Sequence, residues 1–505
     1  MAFIMKLIKW LLLLLIVLAI AIAALLQFGP LSLGSVKAIL NVLGVYSVEA
    51  PQQSLIAKRL KVPEGFSVGR YAEGLTKVRF IEFSRQGDLL AVLSRDGQLV
   101  RLKADKDGDG RHDGKDILME GLKAPNDLEF YDDYLYIAES NAIGRVLFDH
   151  DSGQFAGEYE VIIPNLPDDG NHRSKSIRLH DGNLYLSIGS TCNVCEEADQ
   201  RRATIMRFDI DGKNGEIFAA GLRNSVGLDI APWDNALYAT DNGRDLLGDD
   251  YPVCELNKIE EGQFYGWPYI NGFGDLDPDF GVGQEDRQGL STSPVFGFPA
   301  HNAPLGIRFI RHAKVPAEYG KTALVALHGS WNRSKADGYK VVAVHWQEDG
   351  TLRSEDFLSG FEKDEDIIGR PVDIAEGPDG CLYVSDDYAG SIYRVCHGQS
   401  QDTLVDLNSE EMSDKSYEQL STEEMRVALR VGEGLYQEYP CATCHLLQGE
   451  GTQGGKSLDN LKARYTLDTL SDYFLHPNAP MPTYPFDEAQ RRALAVYLLS
   501  ASEAL

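Results

Sequence analysis

The chain has 505 residues, with 76 acidic against 48 basic side chains and a formal net charge of −28. That balance excludes nucleic acid as a partner, because binding to phosphates needs basic patches. The length is enough for two or three domains around a large core.

Lys6 and Lys9 precede an uncharged apolar run from Trp10 to Leu26, at the short end of a membrane span. Lysines on that side put the N-terminus in the cytoplasm and the rest outside. Residues 1–28 are therefore expected to be a transmembrane helix in a bacterial inner membrane, with the body facing the periplasm. The alternative is a signal peptide cleaved near Ala21-Ile-Ala23; both readings export the body. Residues 29–59 read as a stalk.

From 60 to 398 one theme recurs, a turn rich in Asp and Gly followed by a short alternating strand. The copies start at Arg85, Tyr131, His180, Trp233, Gly320 and Pro378, as in His180-Asp-Gly-Asn-Leu-Tyr-Leu-Ser and Pro378-Asp-Gly-Cys-Leu-Tyr-Val-Ser. A second alternating segment follows most of them, as at Gly144 and Gly338. Six strand-rich copies predict an all-β six-bladed β-propeller; a sandwich or β-helix accounts less well for the recurring turn.

Within the first repeat, Asp105, Asp107, Asp109, Asp113 and Asp116 occupy positions one, three, five, nine and twelve of a calcium-loop spacing. Gly110 stands at position six. A structural calcium loop on the propeller edge is expected, although aspartate at position twelve is short for bidentate reach. Among the seven cysteines, Cys381 and Cys396 fall opposite each other if their hairpin turns at Tyr388-Ala389. An exported compartment permits that disulfide. Cys192 and Cys195 form a second close pair, and Cys254 is left as a buried thiol.

The richest stretch runs Gly221-Leu-Arg-Asn-Ser-Val-Gly-Leu, Thr240-Asp-Asn-Gly-Arg-Asp, Glu255-Leu-Asn and Tyr265-Gly-Trp-Pro. In this order the motifs resemble the soluble quinoprotein glucose and sorbosone dehydrogenases. His328-Gly-Ser-Trp-Asn-Arg333 and Gly369-Arg-Pro-Val-Asp373 resemble the sorbosone branch. The resemblance spans most of the propeller. It implies pyrroloquinoline quinone (PQQ), calcium and oxidation of a sugar-like alcohol or aldehyde. It places the general base on His172 and quinone contacts on Arg223, Asn224 and Arg370. Backbone carbonyls for calcium fall on Gly243 and Arg244, and Arg79 and Arg333 are further carboxylate partners. Asn171 stands where the glucose enzymes have an aspartate, and Val372 where they have a second late arginine. Their PQQ-binding lysine has no clear counterpart. Chemically, guanidinium forks suit a tricarboxylate, a neutral imidazole suits a base, and backbone oxygens suit calcium.

Residues 399–415 are rich in Ser, Asp, Glu and Gln and read as a linker. Beyond them, Cys441-Ala-Thr-Cys444-His445 is a C-x-x-C-H pentad. Two cysteines so spaced can form thioethers to haem, with His445 as proximal iron ligand. A zinc or redox pair is the plainer alternative, but no second pair stands nearby. Met481, between two prolines, is the expected sixth ligand. Residues 416–505 resemble a class I cytochrome c domain, small and all-α. The combined reading is a dehydrogenase that passes electrons through haem c to a downstream acceptor. The alternatives are a carbohydrate- or protein-binding propeller on an electron-shuttling cytochrome and, third, a calcium-dependent lactonase.

Overall fold

The computed structural model describes residues 48–398 and, in the C-terminal unit, 417, 420, 422–439, 441, 445–447, 450–451, 458, 461–475, 477, 481–484 and 486–501. The expected anchor at 1–28, most of the stalk, the linker and Cys444 lie outside these residues. Among the described residues no helix is long and apolar enough to cross a membrane. The chain divides into two compact units, 1–404 and 405–505.

The first unit is a six-bladed propeller. Blade 1 holds strands Val78–Phe83, Leu89–Leu93, Gln98–Leu102 and Lys115–Met119, and blades 2 to 5 follow in chain order to Leu358. Blade 6 takes three strands from 371–397. Its outer edge is the N-terminal strand Phe66–Ala72, paired antiparallel with Ser391–His397, which closes the ring. The six recurring Asp-Gly turns each lead into the second strand of one blade. Left-handed backbone at Gly87, Asp181, Asn235 and Gly380 makes these turns possible.

The inner strands are stitched around the ring by buried side chains. Asp127, Asp229 and Asp373 of blades 2, 4 and 6 accept the backbone N–H of Ile177, Phe309 and Ile81 on the next blade (2.8, 2.7 and 3.1 Å). Hydroxyls of Thr240 and Ser385 donate onward to the carbonyls of Leu305 and Arg79, each at 2.7 Å. Such paired groups lose little on leaving water. Blades also approach closely: a Cβ on Gly227 would lie 2.1 Å from the Leu305 carbonyl oxygen.

Both expected disulfides are present, Cys192–Cys195 and Cys381–Cys396. The second follows from the register Leu382↔Val395, which puts Cys381 and Cys396 one step further out. Cys254 is buried and free.

The second unit packs helices Thr422–Glu438, Leu467–Tyr473 and Glu488–Ala501 around Ala428, Leu435, Phe474, Leu494 and Leu498. Gly432 lets the first and last helices touch, since a Cβ there would lie 2.2 Å from the Ala493 carbonyl oxygen. Cys441 follows the first helix, and its carbonyl accepts the His445 N–H at 2.9 Å. Met481 is partly buried against this core.

Candidate active site

Every inner strand begins at the same end of the propeller. The connections entering these strands, together with the loops after each second strand, bring Lys77, Arg79, His172, Arg223, Asn224, Asn302 and Arg370 to one face. In blades 1, 4, 5 and 6 the inner strand shifts register within its first few residues. Such bulges re-aim the side chains beside them, here Arg79, Asn224, Asn302 and Arg370.

His172 precedes the inner strand of blade 3. Its Nδ1 lies 3.0 Å from the Ser190 carbonyl and 2.9 Å from Ser190 Oγ. The Ser190 hydroxyl donates to the Cys192 carbonyl, so both oxygens near Nδ1 are acceptors and Nδ1 carries the proton. Nε2 is thereby left with its lone pair, and it has no protein partner among the described residues. Burial, then the charge of Arg223, pushes the imidazole down to about 3. The buried Arg202 holds the loop through the carbonyls of Gly189 and Asp169 (3.1 and 2.6 Å). A Cβ on Gly189 would lie 2.5 Å from His172 Cβ and 2.9 Å from Asn224 Oδ1. Glycine therefore allows His172 and Asn224 to approach each other.

Arg223 is 3% exposed. Asp241, ending the second strand of blade 4, accepts the N–H of Arg223 (3.1 Å) and of Asn224 (2.8 Å). Asp386, ending the second strand of blade 6, does the same for Arg370 at 2.8 Å. One device thus sets both arginines. Burial pushes both carboxyls up to about 6, against these N–H bonds.

The side chains of the two arginines differ. Arg370 spends Nε and Nη2 on the carbonyls of His328 and Gly329, and Nη1 has no protein partner among the described residues. The Arg223 guanidinium bonds the carbonyls of Asn193, Asn242 and Gly243, Asn193 Oδ1 and Asp245 Oδ2. Its donors are all engaged by protein, so it offers charge rather than the expected fork. The Gly243 carbonyl accepts from Arg223 at 3.0 Å, which leaves one lone pair for a cation. The Arg244 side chain turns away, ion-paired to Asp277 at 2.7 Å.

Three expectations are corrected. Arg333 is a loop staple, bonded to the Asp249 and Ala300 carbonyls rather than presenting a free edge. Asp116 sits opposite Arg101 in strand register and pairs with it and with Lys103; the cross-strand contact outweighs the loop spacing. Asp113 accepts the Lys106 N–H and stands outside the carboxylate group. Only Asp105, Asp107 and Asp109 of that loop gather their oxygens within 4.8 Å. Their loop follows the third strand of blade 1, at the opposite end of the strands from His172. It borders a cavity of about 610 Å³ lined by Tyr71, Phe83, Asp379 and Tyr383.

Sequence reading missed a cluster beside Arg370. His328 Nε2 donates to Asp387 at 2.8 Å, and Asp387 also pairs with Arg79 (3.1 Å) and Lys77 (3.9 Å). Burial, then Arg370, pushes His328 down to about 3. Burial lowers Lys77 as well, opposed by Asp387. These groups lie far apart in sequence, and no spacing announces them.

The face therefore carries Lys77, Arg79, Arg223 and Arg370 in a chain of net charge −28. Beneath it Asn302 is fully buried with neither amide atom hydrogen bonded. Asp245 and Asp387 already pair with three of these cations; the Arg370 guanidinium, with no carboxylate partner and an open Nη1 edge, and the unpaired amide fit an anionic ligand.

The TrAA12-like family matches residues 60–271 and 284–398, and the cytochrome c family matches 430–502. An uncharacterised protein of Borreliella burgdorferi is 32% identical over 67% of this chain and 91% of its own length. The pyrroloquinoline quinone-dependent pyranose dehydrogenase of Coprinopsis cinerea is 25% identical over 67% of this chain, which spans only 54% of that enzyme. A Trichoderma reesei protein of carbohydrate-active enzyme family AA12 shares the fold. Its iodide structure has a TM-score of 0.60 at 20% identity, covering 67% of this chain and 98% of that one. Its calcium structure gives 0.58 at 21%, covering 67% and 97%.

Proposed function

Because the chain belongs to the TrAA12-like family and carries a cytochrome c domain, we propose that it oxidises a sugar-like alcohol or aldehyde with PQQ and calcium and passes the electrons through haem c. The observation that carries this reading is His172, whose free Nε2 lone pair stands on the same face as the cations. PQQ, when bound, would supply the two-electron acceptor. His172 Nε2 takes the substrate hydroxyl proton, while Nδ1–H stays anchored on Ser190. Arg370 would balance a ligand carboxylate through its open Nη1 edge, with Lys77 and Arg79 held at the same face by Asp387 and Asn224 as a neutral partner. Arg223 holds a fixed positive charge where negative charge develops. The carbonyls of Gly243 and Arg244 would hold the calcium, and a structural calcium would sit at Asp105, Asp107 and Asp109.

In the second unit, Cys441 and Cys444 would attach the haem, with His445 and Met481 as axial ligands. Thioether ligation favours ferrous iron, so Met481→Ala lowers the midpoint potential measured by protein-film voltammetry. An unchanged potential would assign the sixth position to another ligand. Two disulfides and a haem attachment motif suit an exported body, which 1–28 would either anchor at the inner membrane or, as a cleaved signal peptide, release to the periplasm.

The test is reconstitution with PQQ and calcium, followed by a screen of aldoses and sorbosone-like aldehydes at the reduced haem band. Substrate-dependent reduction is expected, stopped by a chelator and restored by calcium. Failure of PQQ to bind, with no substrate reducing the haem, would turn the reading toward a binding propeller on a cytochrome.

A further inference from the structure

Arginine has five N–H donors, and Arg223 spends all five on protein: Nε on the Asn193 carbonyl (2.9 Å), Nη1 on the Asn242 and Gly243 carbonyls (3.1 and 3.0 Å), Nη2 on Asn193 Oδ1 and Asp245 Oδ2 (2.9 and 2.8 Å). Asn193 alone supplies two of these acceptors. It also governs a third. Its Oδ1 accepts the Asp245 N–H at 2.8 Å, and its Nδ2 donates to the Asp245 carbonyl at 3.0 Å. Three of the five bonds to the guanidinium therefore run through position 193 of another blade, one to its backbone carbonyl and two that need the asparagine side chain.

Asn193 sits in an irregular loop, 189–203, where no strand ladder holds the backbone. The Cys192–Cys195 disulfide closes the loop around it. The Ser190 hydroxyl, which faces His172 Nδ1, donates to the Cys192 carbonyl at 2.8 Å. The same short bridge thus flanks both groups on which the proposed chemistry rests. A covalent closure across three residues restricts the backbone freedom that Asn193 would otherwise regain.

We propose that Asn193, constrained by the Cys192–Cys195 disulfide, is the positioning residue that fixes the Arg223 guanidinium in the site. For its consequence on cofactor binding the inference rests on the PQQ reading above; for the arginine itself it does not. None of the hydrogen bonds of Asn193 goes to His172. It acts through Arg223.

Two readouts on the full-length protein test this. The first needs no cofactor: phenylglyoxal labelling of Arg223 followed by peptide mass spectrometry, with the exposed Arg353 as internal standard (side chain 59% exposed). In the parent protein Arg223 labels slowly. In Asn193→Ala and in Cys192→Ser/Cys195→Ser it labels about tenfold faster or more, since charge-assisted bonds are lost. Asn193→Asp keeps the Oδ1 acceptor but loses the Nδ2 donor to the Asp245 carbonyl and labels at a rate between the parent and Asn193→Ala, whereas Cys381→Ser/Cys396→Ser, which opens the distant disulfide, stays protected. The second readout is the PQQ dissociation constant by fluorescence titration, expected to rise about tenfold or more in the first two variants. Only variants with the parent haem spectrum and melting curve are compared. If Asn193→Ala does not fold, the serine pair and Asn193→Asp carry the test. Unchanged labelling of Arg223 in the loosened variants overturns the proposal, whatever PQQ does. Faster labelling in a protein that never binds PQQ upholds the positioning role and overturns the PQQ reading instead.

Discussion

His172→Ala lowers substrate-dependent haem reduction by about 10²–10⁴-fold, the usual contribution of a positioned base, while PQQ affinity is largely retained. The variant loses the only lone pair that the structure leaves free on that imidazole, and Nδ1 is committed to Ser190. The pH profile separates this role from a structural one. An unshifted histidine, with pKa near 6.5, would lose about 25-fold of its neutral form between pH 7 and pH 5. Burial and Arg223 hold His172 near 3, so it stays neutral across that range. The acid limb of kcat/KM assigned to this group therefore falls near pH 3. The linkage sign agrees: the folded pKa lies below the unfolded one, so the unfolded chain binds the extra proton between them. The contribution to stability is full above about pH 6.5 and is lost as pH falls toward 3. A fully active alanine variant would remove His172 from the mechanism.

The fold was legible because propeller blades repeat local chemistry. Each Asp-Gly turn with its alternating strand carries its own backbone requirement, so six copies could be counted before any contact was known. The hairpin disulfide was legible for a similar reason, since antiparallel register is arithmetic once the turn at Tyr388-Ala389 is placed. The cytochrome c domain was visible through a covalent motif.

The site was legible only where a motif marked it. His172, Arg223 and Arg370 do reach one face. The state of their donors, however, depends on loops from different blades. Asn193 meets Arg223 across 30 residues, and His328 meets Asp387 across 59. Sequence spacing cannot report such meetings. Asp116 shows the reverse failure. Its position fits a calcium loop, but it lies within the strand Lys115–Met119, and strand register hands it to Arg101. Arg333 likewise looks like a free cation until the loop carbonyls that consume it are seen.

The central claim is that propeller and haem form one circuit within a single chain. Residues 399–415, 17 in number and rich in Ser, Asp, Glu and Gln, lie between the propeller and the haem motif in one chain. A covalent connection makes the encounter of the two cofactors intramolecular, so its rate does not depend on protein concentration. The decisive measurement is stopped-flow haem reduction in the reconstituted full-length protein at saturating substrate, over a wide range of protein concentration. The account predicts one rate constant at every concentration. It also predicts that a chain cut within 399–415 becomes dependent on concentration. A rate constant that rises in proportion to the concentration of intact protein would contradict it and separate the two cofactors into different circuits.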